Sequence, residues 1–311
     1  MSIASLDAAA RASLRAPSIF NTQPWTWRIG ADAMELCVAE DRRLRATDPD
    51  GRLLLLSCGA ALHHARVALA AEGWAASVTR FRAPETDGVL ARVDVAGRGE
   101  PDPAAQVLAD AIERRRTDRR AFGDRPVSGE TLTALRQVVE AEGAFLHVVP
   151  REDVPMLGIA AERAADAESY DPAYQSELQE WTHRPASAGD GVPPATAVAP
   201  SLRRVPVRDF GSSSDAGPAH DEGAEYAIIY GDDFLRAGEA LSALLLTATA
   251  QGLSTAPFTE AFEIAWSRAL VSGMLSGLGE PCVAVRLGYV DSDEPLPESP
   301  RRSFEEAVTH V

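Results

Sequence analysis

The sequence predicts an α+β chain of two fused, pseudo-symmetric halves that pair within one polypeptide as a dimer would. Three observations predict it. A long apolar helix over residues 53–72 can be laid on another over 233–251 at a constant offset: Leu56 meets Leu235, Gly59 meets Gly238, Leu62 meets Leu241 and Gly73 meets Gly252. Each helix has a strand pattern before it and another after it. Each stops at a glycine, the residue that most readily closes a helix in the left-handed conformation. The two long helices are the natural interface between the halves.

The elements follow in order. Residues 4–15 read as a short amphipathic helix ended by Ala16-Pro17. Residues 26–29 and 34–38 read as a β-hairpin around Gly30. After the first long helix come strand patterns near 76–81 and 90–95. Turn residues crowd 96–104, so the halves are expected to divide as 1–103 and 104–311. A helix over 104–113 leads into a run of arginines. Another starts at Ser128, whose hydroxyl can cap it, and a strand follows at 144–149. Residues 166–223 carry Pro, Gly, Ser and charge in irregular order and read as an insertion. Tyr170, Tyr174, Trp181 and Phe210 give it apolar anchors, which suits a flap lying over something. A strand at 226–230, the second long helix, a helix at 264–278 and a strand at 282–289 complete the pattern.

Composition narrows the function. The 311 residues are 45% hydrophobic with a formal charge of −16, which disfavours nucleic acid and anionic membrane surfaces as partners. All 30 basic residues are arginine. A Schiff-base lysine and a Walker-type phosphate loop are therefore impossible. Cys37, Cys58 and Cys282 form no C-x-x-C pair, and His63, His64, His147, His183, His220 and His310 show no zinc-ligand spacing, so no metal site is expected. His63 and His64, as helix neighbours, are expected to point in different directions. The N-terminus has no basic region followed by an apolar run, and no uncharged apolar stretch reaches the ~18 residues of a membrane span. The expected location is the cytoplasm.

Four motifs carry chemistry. Ala16-Pro17-Ser18-Ile19-Phe20-Asn21-Thr22-Gln23-Pro24-Trp25 offers two carboxamides and a hydroxyl that suit the mixed donor and acceptor edge of a planar heterocycle; it also reads as a proline-ended loop with self-capping Asn21. Six arginines lie between Arg114 and Arg125. They read as a phosphate anchor, because guanidinium binds phosphate bidentately and never loses its charge, or as a solvated helix end. Gly252-Leu253-Ser254-Thr255-Ala256 reads as a helix stop whose backbone amides can approach a ligand closely. Arg301-Arg302 sits in a short basic tail. No acid–base pair stands out as catalytic.

These four elements, in this order, resemble the nitroreductase-like superfamily that binds FMN. The N-T-Q-P-W and R-R-T-D-R-R forms, the fused halves and the insertion resemble its Acg-like branch. The resemblance implies a nitroreductase-like fold. Family members are homodimers that share two FMN sites. Here the first half keeps the N-x-Q-P-W element and the second keeps the arginines, so the resemblance implies one FMN per chain, in the seam, with a monomer sufficing. Arg116, Arg120 and Arg302 would clamp the phosphate, with Thr117, Arg119 and Arg301 beside them. Pro17, Ser18, Asn21 and Gln23 would line the ring and ribityl. Amides at Leu253, Ser254, Thr255 and Ala256 would approach the ring. The implied activity is hydride transfer from NAD(P)H to nitroaromatic or quinone acceptors. A flap covering the ring would instead leave a protein that stores or sequesters FMN.

Overall fold

A computed structural model of the chain describes residues 3–81, 87–182, 184–197, 204–206, 208–211, 221–292 and 294–311. The order in the first half is α1 (Ile3–Ser13), β1 (Trp25–Ile29), β2 (Ala33–Val38), α2 (Arg52–Ala71), β3 (Trp74–Arg80) and β4 (Val89–Arg98). α3 (Pro103–Arg114) starts behind an Asp102 cap with proline at its first turn, the position where the missing N–H is not needed, and packs on both long helices. Next come α4 (Gly129–Ala141), β5 (Phe145–Val148), α5 (Val154–Ser169) and α6 (Pro172–Thr182). The chain finishes with β6 (Glu225–Tyr230), α7 (Phe234–Ala250), β7 (Ser254–Phe258), α8 (Glu260–Glu263), α9 (Ala265–Met274), β8 (Pro281–Gly288), α10 (Phe304–Ala307) and β9 (Val308–His310).

The duplication is visible in the sheets. One runs β3-β4-β2-β1 and the other β7-β8-β6-β5, with antiparallel pairing between every neighbour in both. Each sheet packs under one long helix, in a core holding Trp25, Trp27 and Leu62 on one side and Leu146, Ile229 and Leu244 on the other. Gly73 and Gly252 end the two helices at φ of 84° and 79°. α2 and α7 cross where Gly59 meets Gly238, so close that a side chain on either would strike the other helix's backbone. By length and composition α2 passes as a membrane span, yet 78% of that apolar window is buried inside the fold, much of it against α7.

One element breaks the symmetry. The C-terminal strand β9 leaves the second half and pairs in parallel with β1, Trp27 opposite Val308. This carries the Arg301-Arg302 segment back over the first half.

The insertion differs from its sequence pattern. Its first part is regular, because α5 runs to Ser169 and α6 covers residues 172–182. Tyr174 and Trp181 are buried, but Tyr170 is 86% exposed and anchors nothing. Residues 198–203, 207 and 212–220 of the expected flap, and with them His220, lie outside the described residues, as does His183. The helix expected over 264–278 is shorter and follows a separate turn, α8. The two histidines expected to diverge instead converge: His63 and His64 both bring Nδ1 to Ser242 Oγ, at 2.8 and 2.9 Å.

Candidate functional site

Two joined chambers lie in the seam. The upper, about 970 Å³, has apolar walls from α2 (Leu53, Leu56), α7 (Leu241), β7 and β8, with Pro17, Ile19 and Phe20 from the loop after α1. The lower, about 430 Å³, is polar, and Asn21, Arg115, Thr196 and Arg301 face it. Pro17, Ser18, Phe20, Thr117 and Arg119 line both, so the two are continuous.

The loop after α1 is strained. Phe20, Asn21 and Gln23 have φ of 46°, 56° and 49°, a region where residues other than glycine cost roughly 1–3 kcal/mol. Hydrogen bonds hold it there. Ser18 Oγ accepts from Gln23 N at 2.9 Å; Gln23 Nε2 donates to Gly189 O at 2.9 Å, and its Oε1 accepts from Arg302 N at 3.0 Å. Asn21 Nδ2 donates to Gly191 O and Pro300 O, while its Oδ1 accepts from Arg301 Nη1 at 2.9 Å. The loop is therefore a clasp joining the first half, the insertion and the C-terminal tail.

The arginine run is extended rather than helical, and this sorts its side chains. Thr117 forms a parallel bridge with Thr255 on β7, and Asp118 N donates to Thr255 O at 2.9 Å. Alternate residues of an extended chain face opposite ways. Arg115, Thr117 and Arg119 line the chambers. Arg116 and Arg120 do not. Arg116 bonds to Glu298 at 3.0 Å and to the carbonyls of Glu113 and Arg115. Arg120 grips Asp118 with two nitrogens and donates to Glu294 O.

Of the residues expected to clamp a phosphate, Arg116, Arg120 and Arg302 hold protein atoms in this structure, Arg302 donating to the carbonyls of Gln23, Trp25 and Glu306. Gln23 is likewise a strut and not a wall. Of the β7 segment, Ala256 faces the upper chamber, Leu253 is in the second core, Ser254 bonds Asp118, and Thr255 keeps a buried hydroxyl with no hydrogen-bond partner. Pro17, Ser18, Asn21, Thr117, Arg119 and Arg301 do line the chambers. Sequence reasoning missed Arg115, along with Arg208 and Arg286 in the upper wall.

Electrostatics set the lower chamber apart. Burial and the neighbouring Arg116 pull Arg115 down to about 10. Burial and the cations Arg115, Arg15 and Arg116 pull Arg301 down to about 9. Arg301 donates to the backbone oxygens of Ala16 and Arg15 and to the Asn21 amide oxygen. Among the described residues no carboxylate is hydrogen-bonded to either guanidinium. In a chain of charge −16 this is a concentration of positive charge, offset in part by Glu298, which pairs with Arg15 and Arg116 and pulls Arg301 the other way, and an anion there would relieve the remaining repulsion.

The insertion roofs both chambers. Val205, Pro206, Arg208 and Phe210 overlie the upper one, and Val192, Pro193 and Thr196 the lower. Arg208 pins the roof, donating to Glu263 at 2.6 Å and to the Tyr174 hydroxyl and pairing with Glu260 at 3.2 Å. Phe210 meets Phe20 edge-on at 6.1 Å. Asp190 is bound by Arg42 and Arg184, and Glu177 accepts from the backbone N–H groups of Arg45, Ala46 and Thr47.

No family model matches the chain. Several Mycobacterium tuberculosis proteins do, two of them as follows. Rv3131, provisionally named an NAD(P)H nitroreductase, is 42% identical over 312 residues, 95% of this chain and 88% of its own length. The protein acg, named in the same way, is 36% identical over 317 residues, 98% of this chain and 95% of its own length. Among solved structures, the FMN-dependent nitroreductase NfnB of Mycobacterium smegmatis in complex with NADPH is 19% identical, covering 65% of this chain and 97% of its own, with a TM-score of 0.42. A Desulfitobacterium hafniense nitroreductase with bound FMN is 15% identical, covering 66% and 98%, with a TM-score of 0.41. The long matches to Rv3131 and acg carry the relationship. The chain belongs to the nitroreductase-like superfamily, in the branch that holds acg.

Proposed function

We propose that the chain binds one FMN in the seam between its halves and acts as an NAD(P)H-dependent reductase of nitroaromatic or quinone acceptors. The observation that carries this reading is the pairing of the two chambers: an apolar slot that leads into a site where Arg115, Arg119 and Arg301 gather. The residues fit the group. Arg115, Arg119 and Arg301 would hold the phosphate, with Thr117 adding a hydroxyl. Pro17, Ile19, Leu53, Leu56 and Phe258 would bury the ring.

FMN, when bound, supplies the hydride-carrying ring, so the protein needs no acid–base pair of its own. Its residues would orient the ligand and exclude water; Arg208 and Arg286 beside the upper chamber are held in ion pairs with Glu260, Glu263 and Asp221. Each half supplies a part the other lacks, which supports a single chain, dividing near residue 103, as the complete unit.

The roof favours a second reading, in which the chain stores FMN and turns over slowly. Arg208 and Phe210 line the upper chamber from the insertion, where they would obstruct a stacking nicotinamide. Anaerobic mixing of the flavin-loaded protein with NADPH separates the two. Rapid bleaching supports the reductase. An oxidised spectrum that persists supports storage.

A further inference from the structure

A third chamber lies outside the roof, between α5, α6 and the strip of insertion that covers the seam. Its walls follow from helix spacing. Ala161, Ala165 and Glu168 stand on successive turns of α5, and Tyr174, Leu178 and Thr182 on successive turns of α6. The two alanines leave space that larger side chains would fill. Pro206, Arg208, Phe210 and Glu260 line both this chamber and the upper one. A molecule held here would abut, from outside, the same strip of chain that roofs the seam.

The lower and outer chambers differ in charge. Arg115, Arg119 and Arg301 face the lower one. In the outer chamber Arg208 is the one cation among the described lining residues, and it is already engaged by Glu263 at 2.6 Å, Glu260 at 3.2 Å and the Tyr174 hydroxyl. Asp209 adds a further carboxylate. Glu168 differs from these acids. It is 7% exposed, and its buried Oε1 has no hydrogen-bond partner. Burial, then repulsion from Glu263, raises its carboxyl to about 8, so at neutral pH it is held as the uncharged acid with a proton to donate. The chamber thus combines an apolar wall of Ala161, Ala165, Leu178 and Phe210 with a buried donor and no unengaged cation.

We propose that the outer chamber is the docking site of the electron acceptor and selects uncharged aromatic molecules bearing a carbonyl or nitro oxygen: the ring lies on the apolar wall, the oxygen accepts from Glu168, and sulfonates, carboxylates and phosphates are turned away. The inference deepens the reductase reading and rests on it.

The test is equilibrium binding to the full, FMN-loaded chain, oxidised and without reductant, followed by calorimetry. The probes are menadione, an uncharged naphthoquinone, and naphthoquinone sulfonate, the same ring system with a negative charge. Menadione is expected to bind about 10-fold more tightly than the sulfonate. Ala165→Trp, at an exposed position that lines neither seam chamber, fills the outer one; it is expected to weaken menadione about 10-fold while FMN affinity stays within about 2-fold. Gln179→Lys places a cation on the α6 side and is expected to narrow the gap between the two probes to within about 3-fold. Menadione that binds no more tightly than the sulfonate, or that ignores Ala165→Trp, overturns the inference. So does a parallel fall in FMN affinity, which would place the effect in the seam, and so does a gap that Gln179→Lys leaves as wide as before. Should Ala165→Trp not fold, Gln179→Lys decides. The parent reading fails separately: a chain that takes up no FMN has no flavin site, and the same two titrations on the unloaded chain then decide whether the outer chamber takes a neutral quinone.

Discussion

A methyl group on Gly59 would stand 2.9 Å from Gly238 Cα and closer still to the Leu235 carbonyl oxygen, and one on Gly238 would meet Gly59 Cα and the Leu56 carbonyl in the same way. The two residues occupy equivalent places in the repeat, so this contact marks the internal twofold. An interior helical Gly→Ala change ordinarily stabilises by roughly 0.5–1 kcal/mol. Here the sign should reverse. Gly59→Ala or Gly238→Ala is expected to destabilise by about 1–3 kcal/mol through overpacking, read as a lowered denaturant midpoint.

Arg115 and Arg120 should separate cleanly. A charge-assisted hydrogen bond contributes about 1.5–3 kcal/mol. Arg115→Ala is therefore expected to weaken FMN binding by about 10- to 100-fold in a fluorescence titration. Arg120→Ala, which removes only a grip on Asp118 and the tail, is expected to change it less than about 3-fold.

Glu168 makes the support of the roof pH-dependent. Burial, then repulsion from Glu263, raises its carboxyl from 4.5 to about 8, against the pull of Arg208. The folded state therefore holds a proton that the unfolded chain releases. The stability this contributes is full below about pH 4.5, drains away up to about pH 8 and is gone above it. Glu168→Gln keeps a neutral side chain and removes the linkage. Relative to that variant, the wild-type midpoint should fall between about pH 5 and pH 8 and then level off; parallel profiles would contradict this.

Arg208 ties the roof to α6 and α8. Cutting that tie with Arg208→Ala should open the upper chamber. Stopped-flow bleaching by NADPH under anaerobic conditions is expected to accelerate about 10-fold, as it does when a lid gates access. A rate that does not change would mean the roof does not control entry.

Much of this was legible in the sequence because the halves repeat. The long helices, their glycine stops and their flanking strands each gave a local signal, and the second copy reinforced the first. The arginine run was legible as a feature but not as a set of roles. In Arg114-Arg115-Arg116 every residue is a candidate, and only the extended path beside β7 selects Arg115 over Arg116. The alternation 115, 117, 119 was present in the sequence; choosing it required knowing that α3 stops at Arg114. Gln23 and Arg302 look like ligand-binding residues in isolation, yet their partners, Gly189 and the carbonyls of Gln23, Trp25 and Glu306, are set by tertiary structure. α6 was hidden by the charge and proline of the insertion. His63 and His64 meet at Ser242 because α7 presses close enough at Gly238 for both rings to reach one hydroxyl.

Flavin stoichiometry is the sharpest test of the whole account. Calorimetric titration of the flavin-free chain with FMN should saturate at one equivalent per polypeptide. No binding, or two equivalents as in a symmetric pair of sites, would contradict a single pocket shared by unlike halves.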